Sequence, residues 1–320
     1  MHQLKRLLSK LKLKNSKGKE LNATNKKLFN EFIDNFCSAK NRTILYRGTE
    51  SIPEYNTDVR DTQKFAYNLF KLGEKSHYFS QNPYTRFDIN DCSNIVFEYI
   101  FECLNEKLCK NKDFEGFLDN NKSINYFSSI CKKTEFTTII NDIKPIEKKE
   151  YVKDYYFSLL HILDISIDGN RDYMISTSKD IEVANYFKNG GIIIVSWIPI
   201  KERNRQIIKY SNVNKSDYII RDLGLPYYDI SPYSDEKEIC VKCGLLPRYI
   251  IGYSIDNSFI VNPDLLLKIR FPYSMKSFIN FGIDNIYQYD FDDVIKKTSY
   301  NEGYIHSNGH YCNLPYKKNQ

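Results

Sequence analysis

Glu236-Lys237-Glu238-Ile239-Cys240-Val241 places two carboxylates one residue apart at the start of an apolar run. Residues i and i+2 of a strand share a face, so this stretch predicts a strand with Glu236, Glu238 and Cys240 on one side and Lys237, Ile239 and Val241 on the other. Working outward, polar groups stand at two earlier strand ends: Tyr46-Arg47-Gly48-Thr49 after Thr43-Ile44-Leu45, and Ser176-Thr177-Ser178 after Tyr173-Met174-Ile175. Further strands are expected over 191–198, 206–210 and 248–254. A short helix follows Ser178, its expected N-cap, with Val183, Ala184 and Phe187 facing inward.

The first half of the chain reads differently. Leu28, Phe29, Phe32, Ile33 and Phe36 mark one helical face, and 58–165 is mainly of helical period, through Phe65, Leu69 and Leu72, then Ile95 to Cys103, then Tyr151 to Ile162. Helices first and strands later predict an α+β fold rather than a wound parallel sheet. The expected organisation is a basic amphipathic helical segment over 1–40, one domain over 41–300 with a helical insertion over about 58–165, and a loose tail over 301–320.

The net charge of +6 is concentrated at the start. Residues 1–27 hold nine Lys or Arg and one acid, leaving 37 bases against 39 acids in the body, so the body is close to neutral. Leu4, Leu7, Leu8 and Leu11 recur at helical spacing among the lysines, and residues 1–27 are expected as a solvated or loosely docked tail, in contact with an anionic membrane or nucleic acid, or anchored in a partner's groove. No apolar run has the length of a signal peptide or a membrane span, and the eight cysteines are spread along the chain, which fits reduced thiols and a cytoplasmic setting.

In their order, these motifs resemble the ADP-ribosyltransferase superfamily of the Arg-Ser-Glu type. Tyr46-Arg47-Gly48 resembles its first-strand arginine motif; Ser176-Thr177-Ser178 with Val183-Ala184-Asn185-Tyr186-Phe187 resembles its Ser-Thr-Ser strand and helix; Glu236-Lys237-Glu238 resembles its Glu-x-Glu strand. The resemblance spans roughly 41–260 and implies a split antiparallel β-sandwich that grips NAD as substrate, with no metal. It also implies roles. Glu238 would stabilise an oxocarbenium-like transition state through the ribose 2′-hydroxyl, and Glu236 would orient or deprotonate the acceptor. Arg47 and Gly48 would bind and position NAD, Ser176 would hold the catalytic glutamate or the ribose, and Thr177 and Ser178 would support strand and helix cap. The acceptor would be a macromolecule, a protein arginine being the target implied by the Glu-x-Glu pair. The family's settings include intracellular toxins and antiphage factors.

The 129 positions between Arg47 and Ser176 exceed what compact transferases of this type need, and a helical insert after Tyr-Arg-Gly also resembles the FRG domains. Their His-Gly-x-Pro-Thr-Arg stretch is not reproduced by Leu160-His161-Ile162-Leu163-Asp164. Two alternatives therefore stand beside the transferase: an NAD glycohydrolase, and a non-catalytic FRG-like module that binds a nucleotide or partner.

Other residues bear on the site. His161, in an apolar helical run, reads as a structural histidine. Tyr227, Tyr228 and Tyr233 lie in an aromatic loop at the acceptor-recognition position, and Tyr186 and Phe187 could approach nicotinamide, with core packing the stronger reading for Phe187. Cys240-x-x-Cys243 with His306, His310 and Cys312 supplies zinc-ligand types, but a free Cys240 thiol beside the glutamates is the simpler account.

Overall fold

A computed structural model describes residues 2–38, 42–52, 55, 57–75, 92–110, 121–167, 174–199, 207–209, 218–227, 237–241, 244–245, 249–266, 304–305 and 311–312. In chain order its helices include α1 (His2–Leu8), α2 (Ala23–Ser38), α3 (Thr62–Leu72), α4 (Asn94–Lys110), α5 (Asn121–Ser128), α6 (Lys132–Asn141), α7 (Ile146–Ile167) and α8 (Ile181–Phe187). The strands are β1 (Lys12–Lys14), β2 (Arg42–Thr49), β3 (Glu74–Lys75), β4 (Ile175–Ser178), β5 (Ile192–Pro199), β6 (Ile207–Lys209), β7 (Glu238–Val241), β8 (Gly244–Leu245), β9 (Ile250–Ile255), β10 (Ser258–Val261), β11 (Tyr304–Ile305) and β12 (Tyr311–Cys312). The fold is α+β, with helices concentrated before Ile167 and strands after it.

One eight-stranded sheet runs β1-β10-β9-β5-β2-β4-β7-β6. Every pairing is antiparallel except β1 with β10. β2 and β5 pair along their whole length, from Arg42 opposite Pro199 to Thr49 opposite Ile192. By contrast, β2 and β4 meet at a single registered position, Tyr46 opposite Ser178. The sheet is thus close to parting there into five strands and three. β3 pairs with β8, and β11 with β12, as separate two-stranded ladders.

Two apolar cores hold the layers together. The first joins α1, α2, α3 and α8 to β2, β5, β9 and β10. Asn22 starts α2 by accepting a hydrogen bond at Oδ1 from the Asn25 N–H at 2.8 Å. Phe29, Phe32 and Phe36 then follow at helical spacing and are buried. Phe36 meets Trp197 edge-on at 5.6 Å between ring centroids, and Trp197 meets Tyr249 at 4.8 Å. Trp197 is the chain's single tryptophan, so its emission reports this core. Phe36→Leu is expected to shift that emission and to cost about 1–2 kcal/mol in denaturant melts, since the smaller side chain leaves part of the site unfilled and the aromatic pair is lost.

The second core is built by α4 to α7 with Met174, Ile220, Leu225 and Cys240. Phe101, Phe127, Phe136 and Tyr156 meet there at 5.3–5.8 Å, mostly edge to face. The helical insertion expected over 58–165 is therefore shared between two cores, because α3 packs with the first: Phe65 lies edge-on to Tyr253 at 5.3 Å.

The N-terminal segment is docked firmly rather than loosely. Leu4 is completely buried, and Lys12–Lys14 form an edge strand beside β10. Lysines on an edge strand are common because charge discourages pairing with a second molecule. Of the expected loose tail over 301–320, the structure describes the β11–β12 pair. Among the described residues no helix is long and apolar enough to cross a membrane.

Candidate functional site

The three sequence motifs fall on the adjacent strands β2, β4 and β7. Between β4 and β7 the pairs are Ile175–Val241, Ser176–Cys240, Thr177–Ile239 and Ser178–Glu238. Directly opposed residues share a face, and alternate positions along a strand share it too. Ser176, Ser178, Glu238 and Cys240 therefore stand on one face, and Ile175, Thr177, Ile239 and Val241 on the other.

The first face receives His161 from α7. Its Nε2 lies 2.9 Å from Ser176 Oγ and 3.6 Å from Glu238 Oε1. The Cys240 thiol donates to Glu238 Oε1 at 3.5 Å. His161 is wholly buried, Cys240 is 2% exposed and the Glu238 side chain 8%. One imidazole nitrogen thus gathers a hydroxyl and a carboxylate. This is not the geometry of an activated serine, in which the acid holds the opposite ring nitrogen. It is the geometry of a carboxylate enclosed between an imidazole and a thiol.

Arg47 lies apart from this cluster. Tyr46 is opposite Ser178, so the pleat sends Arg47 to the other face. There its Nε donates to both carboxylate oxygens of Glu74 at 2.7 Å, and its Nη2 lies 2.6 Å from Oε1. Its Nη1 donates to the backbone carbonyl of Ser176 at 3.0 Å. Both side chains are largely buried, 12% exposed for Arg47 and 5% for Glu74. The guanidinium fork that the resemblance assigns to NAD is engaged by a protein carboxylate, and it braces β4 from behind the Ser176 hydroxyl.

Glu74 is delivered by the end of α3. Asp61 caps that helix at its start, accepting from the Lys64 N–H at 3.2 Å. Gly73, at φ 64°, stops it with its N–H bonded to the Leu69 carbonyl, a left-handed conformation that glycine adopts without penalty. Tyr55 secures the same turn by donating its hydroxyl to the Gly73 carbonyl.

The remaining candidates have support roles or fall elsewhere. Thr177 Oγ1 donates to the Ile239 carbonyl at 2.6 Å, tying β4 to β7. Ser178 is the last residue of β4 rather than the helix cap; its Oγ accepts from the Asp180 N–H at 2.9 Å, and Asp180 caps α8 by accepting from the Glu182 N–H at 3.2 Å. Gly48 lies beneath α8, where a Cβ would come within 1.8 Å of the Ala184 carbonyl oxygen. Phe187, expected in the core, is 47% exposed, and Tyr186 80%. Both side chains emerge on the outer side of a helix only two turns long. Tyr227 stacks on Tyr155 at 6.0 Å with Arg221 over its ring at 4.1 Å. Glu236, Tyr228, Tyr233, Cys243, His306 and His310 lie outside the described residues, and for Cys312 only its strand position is described.

Asp180 also draws the N-terminal segment and β7 together. Gln3 Nε2 donates to its Oδ1 at 3.1 Å, and Lys237 Nζ reaches its Oδ2 at 2.7 Å. The Lys237 hydrogen bond, followed by that from the Glu182 N–H, holds the Asp180 carboxyl below its ordinary range. A depressed folded-state value means that this contribution to stability is present above the unfolded carboxylate value of about 3.9 and is lost as pH falls through the folded value. Lys237→Met is expected to raise the Asp180 titration midpoint, read from its side-chain carboxyl carbon by NMR, and to flatten that part of the acid melt.

The sequence reading took His161 as structural and passed over Glu74. A lone imidazole amid Leu159, Leu160, Ile162 and Leu163 was the available signal for the first, since a polar group in a fully buried run needs partners. Glu74 carried none, its partner being 27 residues away. No family model matches the chain, and no curated protein or solved structure matches it either.

Proposed function

We propose that the chain cleaves NAD at the nicotinamide–ribose bond and transfers ADP-ribose to a macromolecular acceptor, with Glu238 as the essential carboxylate. The observation that carries this reading is the convergence of Ser176 Oγ and Glu238 Oε1 on His161 Nε2, on neighbouring strands that bear the motifs in the transferase order. As nicotinamide leaves with the bonding electron pair, positive charge develops on the ribose, and a fixed carboxylate offsets it without reorganisation cost. The acceptor then bonds to the same carbon and gives up its proton. Ser176 holds the His161 imidazole, which stands beside the Glu238 carboxylate, while Arg47, engaged with Glu74, braces β4 rather than gripping phosphate. The single registered pair between β2 and β4, within one continuous sheet, supports this reading to the extent that the transferase resemblance implies a split sheet.

The test is nicotinamide release from NAD by the full chain, with and without cell lysate. Glu238→Ala should lower the rate about 100- to 1,000-fold, an effect of about 2.7–4 kcal/mol. Equal rates in both proteins would end the proposal. Glu236→Gln separates the variants of this chemistry: it should abolish transfer and spare hydrolysis to free ADP-ribose.

A specific observation favours a second reading, a non-catalytic module of FRG type. The Arg47 fork is taken by Glu74 and Glu238 is nearly enclosed. Saturable NAD binding with no nicotinamide release by wild-type protein would select it.

A further inference from the structure

We infer that His161, Glu238 and Cys240 form a binding site for a single zinc-type divalent cation on the buried face of β7. His161 Nε2, a Glu238 carboxylate oxygen and Cys240 Sγ all lie within 4.8 Å of one another. The two individual spacings are 3.6 Å from nitrogen to oxygen and 3.5 Å from sulfur to oxygen. Zinc bonds of about 2.0–2.3 Å at tetrahedral angles require ligand-to-ligand edges of about 3.3–3.6 Å, so the two edges that meet at Glu238 already stand near the spacing a bound ion imposes, and the histidine-to-cysteine edge lies within 4.8 Å.

The donor chemistry selects the ion. One thiolate, one imidazole and one carboxylate suit zinc, whereas magnesium and calcium take oxygen shells. Thiolate and carboxylate together carry two negative charges, which a divalent cation neutralises inside an apolar core. On binding, the thiol proton passes to solvent and sulfur bonds to the metal in place of its hydrogen bond to Glu238. The Ser176 hydroxyl leaves Nε2 at the same time and faces the ion. Three protein ligands leave a fourth position open, the arrangement of a zinc site that admits an exchangeable ligand. The ligands have positional support: Glu238 and Cys240 are fixed two residues apart on one strand face, and His161 is clamped in the second core. This set differs from the Cys240-x-x-Cys243 combination, because its histidine comes from the helical insertion.

Metal occupancy does not depend on NAD chemistry. One consequence does rest on the proposed function: an ion on Glu238 removes the carboxylate needed for nicotinamide release, so zinc would inhibit it.

The experiment is a cobalt titration of reduced, chelator-treated full-length protein, followed by displacement with zinc. Wild type should show a near-ultraviolet thiolate-to-cobalt band and intense visible bands of four-coordination, saturating at one ion per chain and abolished by one equivalent of zinc. Cys240→Ser should lose the thiolate band, Cys243→Ser should keep it, and His161→Ala should weaken binding at least about tenfold. In a variant-free measurement, zinc should slow iodoacetamide labelling of Cys240 and leave that of exposed Cys131 unchanged, as read by peptide mass. Absence of the thiolate band in wild type, its persistence in Cys240→Ser, or labelling of Cys240 unaffected by zinc would overturn the site. Nicotinamide release without cobalt binding removes the metal site alone. Cobalt binding without nicotinamide release leaves it standing and removes the NAD reading.

Discussion

Glu74→Ala is expected to destabilise the protein by about 3–5 kcal/mol, a large share of the 5–15 kcal/mol that holds a typical domain folded. The reason lies in what remains. Arg47 keeps its charge at any accessible pH, and its side chain is 12% exposed, so removal of Glu74 leaves a guanidinium inside the fold with two charge-assisted hydrogen bonds gone. Arg47→Ala should cost a similar amount by stranding the Glu74 carboxylate. The pair itself contributes much less than either loss suggests, because desolvating two ions offsets most of their attraction. Arg47→Met with Glu74→Leu should therefore recover most of the lost stability. Urea midpoints of the four proteins decide the matter: additive losses in the double variant would show that the two residues do not act as a pair. The same series bears on function. If Arg47 braces β4 through Glu74, the double variant should retain NAD affinity to within a few-fold; if its fork binds phosphate, affinity falls with every Arg47 substitution, whatever stands at 74.

What the sequence made legible followed local period. The buried face of α2 was readable from Phe29, Phe32 and Phe36, and the central strands from runs such as Ile192 to Ile198, because each pattern repeats within one element. β10 escaped notice because Ser258–Val261 is only four residues long, although Asp256 and Asn257 before it form a two-residue turn with Asp256 at φ 47°. β1 was obscured by its composition: Lys12-Leu13-Lys14 reads as part of a basic tail until β10 is beside it. The candidate site shows the same division. Glu238 and Cys240 could be placed on one face from their spacing. The junction of Ser176 with His161, and of Arg47 with Glu74, depends on which elements pack together, and no periodicity within either partner encodes that. The Ser-Thr-Ser strand illustrates a smaller error: Ser178 closes the strand instead of capping the helix, and the capping of α8 passes to Asp180.

Gly48→Ala should be the most damaging single-methyl addition at the proposed site, costing about 3 kcal/mol or more, at or beyond the upper end for overpacking. The new Cβ would sit 1.8 Å from the Ala184 carbonyl oxygen and 2.8 Å from both the Ala184 carbonyl carbon and the Lys188 nitrogen. All three are backbone atoms of α8 and its C-terminal cap, so no side-chain rotation relieves the contact. Either the helix lifts off β2 or the strand bends. Lifting would uncover Ile181 and Ala184, which are buried against the first core, and would disturb the Gln3 and Lys237 contacts to Asp180. This assigns Gly48 to strand–helix packing and explains a glycine after Arg47 without any ligand. Ala184→Gly offers a control: placed with Gly48→Ala it should restore nothing, because the obstructing atoms belong to the main chain. Rescue by that second change, or a thermal midpoint within a degree or two of wild type for Gly48→Ala alone, would mean that α8 does not lie on β2 as described, and the packing role of Gly48 would fail with it.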